Sequence, residues 1–216
     1  MMTRSLWISI LMLSAAITQA DTRPYALEVL VFSRAEPVHT ITEAFPPEEP
    51  VAPESFDLLF ALDSGYKNLR PVPVYSHALN NAATQILSQT GSRVLFHKRW
   101  IHPLTKNQNN NPWFQINGTG RLGETLRGYL RWSIDRYIEL DVDLRLTRRD
   151  VRMSESGELL PEVYQIREFR KMSSKDIHYL DHPAFGVLIA AEPIVLTDQI
   201  QDAESALETP PQPLNQ

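Results

Sequence analysis

His178, Tyr179, Asp181 and His182 fall in a single five-residue span. Two imidazoles, a phenol and a carboxylate so close together could hold a metal, interact with a ligand or close a turn. Spaced i, i+4, the histidines would share one side of a helix and could bind zinc together with Asp181. Three ligands plus a water would make that a zinc-dependent hydrolase site. Local features oppose this. Pro183 disfavours helical backbone at His182, no Glu stands between the histidines as in HExxH, and His97 and His102 flank a strand. The competing readings are a hydrogen-bonded structural turn and a contact with a ligand or partner. No metal and no cofactor are expected.

Arg127, Tyr129, Arg131, Tyr137 and Arg145 form the second chemical set, all on odd positions of one alternating segment. Arginine forks suit carboxylates, and aromatic rings offer stacking surfaces to sugars. The alternative is an ordinary solvated sheet face carrying cross-strand ion pairs. Leu130, Trp132, Ile134, Ile138, Leu140, Val142, Leu144 and Leu146 occupy the even positions, so Trp132 belongs to the core. Arg136 breaks that apolar series. A charge pointing inward needs a partner, and Asp181 or Asp176 is the candidate; an Arg136–Asp181 pair would make the turn part of the scaffold, with Tyr137 facing outward. Nucleophilic catalysis has little support: there is no Cys, no Gly-x-Ser-x-Gly elbow and no Ser-x-x-Lys at a helix start.

These residues need strands to position them. Tyr25 to Phe32 alternates at first and then turns apolar on both faces, the mark of a central strand. Ser76 to Gln89 places Leu79, Ala82, Ala83, Ile86 and Leu87 at helical spacing, with Ser76 as N-cap and Gly91 beyond the end. A shorter helix fits Glu54 to Leu62. Val94 to Trp100, Val163 to Met172 and Phe185 to Ala191 read as strands. Continuous strand from Leu130 to Leu146 would stretch about 55 Å, so a turn near Asp135-Arg136 is expected. The fold class that follows is α+β: an antiparallel sheet of about five to seven strands with one main amphipathic helix packed on a face.

The ends of the chain differ from its body. Arg4, the apolar run Leu6 to Leu13 and Thr18-Gln19-Ala20 have the pattern of a signal peptide over residues 1–20, and the run is too short to span a membrane. The expected product is a periplasmic or secreted protein of 216 − 20 = 196 residues with no membrane span. Residues 21–196 make a single domain, interrupted by a Pro/Glu-rich loop at 35–54. Residues 197–216 form an acidic tail expected to be disordered. Between Thr90 and Lys175 lie 16 basic residues against 10 acids, a balance of +6. That excess suits an anionic polymer or partner but is too weak for nucleic acid.

The order of YALEVLVFSR, GSRVLFHKRWIHP, LRGYLRWSIDRYIELDVDL and RKMSSKDIHYLDHPAFGVL behind a signal peptide resembles the CsiV family of periplasmic peptidoglycan-binding proteins. The likeness covers nearly the whole mature chain apart from the Pro/Glu loop and the tail. Lys171 and Ser173 stand where the family pattern has arginines, and Ile138-Glu139 where it has Leu-His. The resemblance implies a non-enzymatic role: binding the cell wall and assisting an outer-membrane lipoprotein activator of a bifunctional penicillin-binding protein. A protein–protein adaptor that never touches the wall, or a zinc-dependent hydrolase using His178 and His182, are the alternatives.

Overall fold

A computed structural model describes residues 22–34, 57–58, 70–71, 76–89, 91–121, 123–153, 156–157 and 159–194. The expected signal peptide, Pro/Glu loop and tail lie outside these residues. The strands are β1 (Arg23–Ser33), β2 (Asp57–Leu58), β3 (Arg70–Pro71), β4 (Arg93–Leu104), β5 (Phe114–Thr119), β6 (Thr125–Ile134), β7 (Ile138–Met153), β8 (Leu159–Met172), β9 (Ile177–Asp181) and β10 (Phe185–Pro193). They form two sheets. Sheet 1 has the order β3-β4-β1-β10-β9 and sheet 2 the order β2-β5-β6-β7-β8. Each is four antiparallel strands extended by one two-residue strand, and only β2 pairs parallel, with β5.

The single sheet expected from the sequence is therefore corrected to two, and the domain is mostly β. Alternation announces that a strand has one apolar face but not what covers it. Here the even residues of β6 and β7 meet the odd residues of β1, Tyr25, Leu27, Val29 and Val31, in one continuous core. At its centre Trp132 stands edge-on to Trp100 at 5.5 Å and to Phe114 at 5.6 Å. Gly118 lets the two sheets close up beside it, because a Cβ there would lie 2.3 Å from the Leu95 carbonyl oxygen.

β1 is central, as expected, with β4 and β10 on its two sides. The second face of β1 packs under α1 (Asn80–Ser88), where Leu79, Ala83 and Ile86 cover Leu30 and Phe32. Leu87, read as part of the buried stripe, instead points outward at 63% exposure. The N-cap moves too. Leu79 occupies that position with no side-chain cap bond, and the Glu28 carboxylate of β1 accepts the N–H groups of Ala78 at 2.7 Å and Leu79 at 2.9 Å. A cap supplied by a distant strand leaves no local signature, so Ser76 was the only visible candidate. Of the short helix expected over Glu54 to Leu62, Asp57–Leu58 is strand and the rest lies outside the described residues. The turn expected near Asp135-Arg136 is present: Asp135 N–H donates to Tyr137 C=O at 3.0 Å, joining β6 to β7.

Candidate functional site

The outward face of sheet 2 is a set of cross-strand rows fixed by register. Gln115, Tyr129, Asp143 and Arg167 form one row; Asn117, Arg127, Arg145 and Gln165 form the next. Odd positions point outward because even ones are committed to the core. A cleft of about 480 Å³ opens on the β5–β6 side, lined by Gln115, Asn117, Gly118, Thr119, Thr125, Leu126 and Arg127. Amides, hydroxyls and a guanidinium predominate, a donor-rich wall suited to carboxylate and sugar oxygens. Further along the face the Arg131 guanidinium sits 4.4 Å over the Trp113 ring and bonds Asp141 at 2.8 Å.

The arginines and tyrosines read from the sequence do not all reach solvent. Arg127 is exposed in the cleft and Tyr137 is 48% exposed in the β6–β7 turn. Tyr129 and Arg145 are buried on the same face, and Arg145 Nε lies 3.7 Å from Asp143. Alternation tells which way a side chain points, not whether something lies over it. Gln115, Asn117, Thr119 and Trp113 were missed because β5 is short and its outward residues carry no charge.

The His178–His182 corner is built differently. β9 is extended, so residues four apart are separated by about 13 Å rather than one helical turn. His178 Nε2 lies 3.1 Å from the Ser173 carbonyl oxygen. His182 is buried, its Nδ1 accepting the Ala184 N–H at 3.0 Å and its ring packed on Tyr164 and Phe185. The two imidazoles face different partners, and the shared metal site at His178 and His182 is not formed. Tyr179 is the outward member. It stacks on Phe32, with ring planes 8° apart, beside Gly186, where a Cβ would come within 2.8 Å of both rings. Burial, then the hydrogen bond it donates to Asp181 at 2.7 Å, hold its phenol pKa above the ordinary value.

The expected Arg136–Asp181 pair is also corrected. Arg136 is exposed in the β6–β7 turn with its guanidinium 5.6 Å from the Tyr137 ring, and Asp181 is bound at 2.6 Å by Arg34. The reason is geometric: the turn interrupts the alternation, so Arg136 falls outside the inward series that stops at Ile134 and resumes at Ile138. An arginine does hold the corner, but it is Arg148. Buried, it donates to the carbonyls of Arg34 at 2.8 Å and Ala184 at 3.0 Å.

A third cluster was not assembled from the sequence. Glu28 of β1, His97 of β4 and His77, three residues before α1, converge with ligand atoms all within 4.8 Å of one another. His97 Nε2 is 2.7 Å from Glu28 Oε1, and Arg99 Nη1 is 3.6 Å from Oε2. Burial raises the Glu28 pKa, but the hydrogen bonds from His97, Leu79 and Ala78 outweigh it and hold the carboxyl below its ordinary value of 4.5. The signal existed: an acid in the apolar run YALEVLVF, on a strand buried on both faces, must have partners.

Fold and surface together define a mostly-β domain of two facing sheets, one covered outside by a helix and the other bearing a polar, cationic face. Residues 5–194 match the sequence model described as "Peptidoglycan-binding protein, CsiV". This chain belongs to the CsiV family. No curated protein and no solved structure matches it. Among the described residues no helix is long and apolar enough to cross a membrane.

Proposed function

We propose that this protein binds peptidoglycan in the periplasm, without chemistry of its own, through the cleft at the β5–β6 side of sheet 2. The observation that carries the reading is the lining: Arg127 with Gln115, Asn117, Thr119 and Thr125 around one open space. A guanidinium engages a stem-peptide carboxylate, while amides and hydroxyls engage amide and sugar oxygens. The Trp113–Arg131 stack lies along the same face and extends it with an aromatic edge. Every histidine among the described residues lies off this face, in sheet 1, the segment before α1 or the β9–β10 turn. A binding role fits that arrangement better than acid–base catalysis near neutral pH.

Bound to the wall after export and removal of residues 1–20, the protein would assist a lipoprotein activator of a bifunctional penicillin-binding protein. The second reading, a protein–protein adaptor, draws on a different surface. β9 is the edge of sheet 1, and Ile177 and Tyr179 are exposed on it. Such an edge can pair with a partner strand.

A sacculus pull-down separates the two readings, because a folded parent that is not retained on sacculi supports the adaptor. Arg127→Ala removes a charge-assisted contact from an exposed position, so retention on purified sacculi should fall about tenfold with an unchanged melting temperature. Undiminished retention overturns the cleft as the wall site. Ile177→Asp should leave retention intact; if it alone abolishes retention, the edge of sheet 1 is the binding surface.

A further inference from the structure

We infer that Glu28, His77 and His97 form a zinc site that ties the start of α1 to sheet 1. Two imidazoles and one carboxylate are a zinc donor set, leaving a fourth position for water. Each ligand comes from a different segment, so their meeting is a tertiary arrangement and not an accident of spacing. His97 Nε2 and His77 Nδ1 stand 2.7 and 3.9 Å from Glu28 Oε1. A tetrahedral ion with bonds near 2.1 Å needs donor atoms about 3.4 Å apart. The Glu28–His97 separation would open by about 0.7 Å and the Glu28–His77 one close by about 0.5 Å, and the two imidazole donors, like the rest of the set within 4.8 Å of each other, would draw together by side-chain rotation. The two rings meet edge-on, at 67° to each other with centroids 4.9 Å apart.

The surroundings fix the carboxylate as second-shell partners fix a metal ligand. Ala78 N–H holds Oε2 at 2.7 Å and Leu79 N–H holds Oε1 at 2.9 Å, which leaves Oε1 directed at the histidines. Arg99 is a cation beside the site, its Nη1 3.6 Å from Oε2. Its charge is met by Glu192, its second carboxylate partner, and it donates to the Ser76 carbonyl at 2.7 Å, so it braces the segment that carries His77. Glu28 and His77 are almost fully enclosed, whereas the His97 side chain is 14% exposed. Water for the fourth position can enter from that side. The site lies on the outer side of sheet 1, away from the cleft on sheet 2, so its role is to hold structure and it is independent of wall binding.

The test uses the untagged protein, stripped with a chelator and titrated with Co²⁺ and then Zn²⁺. Expected are one ion per chain, the visible absorption of tetrahedral Co²⁺, its loss on adding Zn²⁺, and a melting temperature that rises with Zn²⁺ by ligand linkage. His77→Gln and His97→Gln should each weaken Zn²⁺ binding at least tenfold, while His178→Ala should not. A folded parent that takes up no stoichiometric Zn²⁺ and gives no Co²⁺ spectrum overturns the inference without recourse to any variant. Full binding by both histidine variants overturns it as well.

Discussion

The outer faces of the two sheets carry charge under opposite conditions. On sheet 1 the face is covered by α1, and Glu28, at 1% exposure, is surrounded by His97, His77, Arg99 and two backbone amides. On sheet 2 charges recur at successive odd positions, Arg127, Arg131, Asp141 and Asp143 among them, with neighbours across the strands and access to water. A covered charge has one permissible arrangement and sets the fold around it. A charge on an open face can be replaced by water at little cost, which makes it available to a ligand.

The sharpest way to break that contrast is to remove one charge from each face. Glu28→Ala strands two amides, His97 and Arg99, and should cost on the order of 3–5 kcal/mol, against about 0.5 kcal/mol or less for Arg127→Ala. Equal losses in denaturant melts would mean that the two faces do not differ as described. The acid limb of stability gives the same test a sign. The folded pKa of Glu28 is depressed, so below it both states are protonated and the contribution is gone. Stability is present above the ordinary value of 4.5 and is lost as pH falls through the lower folded value. Glu28→Gln should flatten that decline; an unchanged acid limb would assign it to other carboxylates.

The next effect in size concerns the corner joining the two sheets. Arg148→Met keeps the aliphatic bulk but deprives the Arg34 and Ala184 carbonyls of their donor, an expected loss of about 2 kcal/mol. A variant as stable as the parent would show that the corner is held by the β9–β10 turn alone.

Pattern-based features of this molecule were legible from sequence, and contact-based ones were not. The β6–β7 alternation predicted the core residues, the need for a turn at Asp135-Arg136 and the burial of Trp132, because period two follows directly from strand geometry. β10 and the central place of β1 followed from continuous apolar runs. The second sheet was invisible, since an inward-facing Leu140 is the same whether it meets a helix or β1. The site residues divide on the same line: Arg127 and Tyr137 were placed outward correctly, but the burial of Tyr129 and Arg145 depends on what lies over them. An arginine that breaks a pattern, Arg136, is the partner that the sequence offers for Asp181. Arg34, immediately after β1, breaks none, and reaches Asp181 because β10 brings β1 and β9 to its two sides.

The smallest expected effect is the one that decides between the inward and outward placements of Arg136. Were it an inward charge bound to Asp181, Arg136→Met would cost about 3 kcal/mol by leaving a buried carboxylate alone. In the β6–β7 turn its guanidinium meets the Tyr137 ring, a cation–π contact of about 0.5–1 kcal/mol at an exposed site. Arg136→Met should therefore change stability by less than about 1 kcal/mol. Tyr137→Ala should cost somewhat more, about 1–2 kcal/mol, because a ring exposed at 48% still buries about half its surface on folding. Wall binding distinguishes the two variants. An exposed tyrosine at the end of the sheet 2 hairpin can stack on a sugar, so Tyr137→Ala should lower sacculus retention and Arg136→Met should lower it less. If Arg136→Met unfolds the protein while Tyr137→Ala melts like the parent, the alternation continues through the turn and Arg136 belongs to the inward series between Ile134 and Ile138.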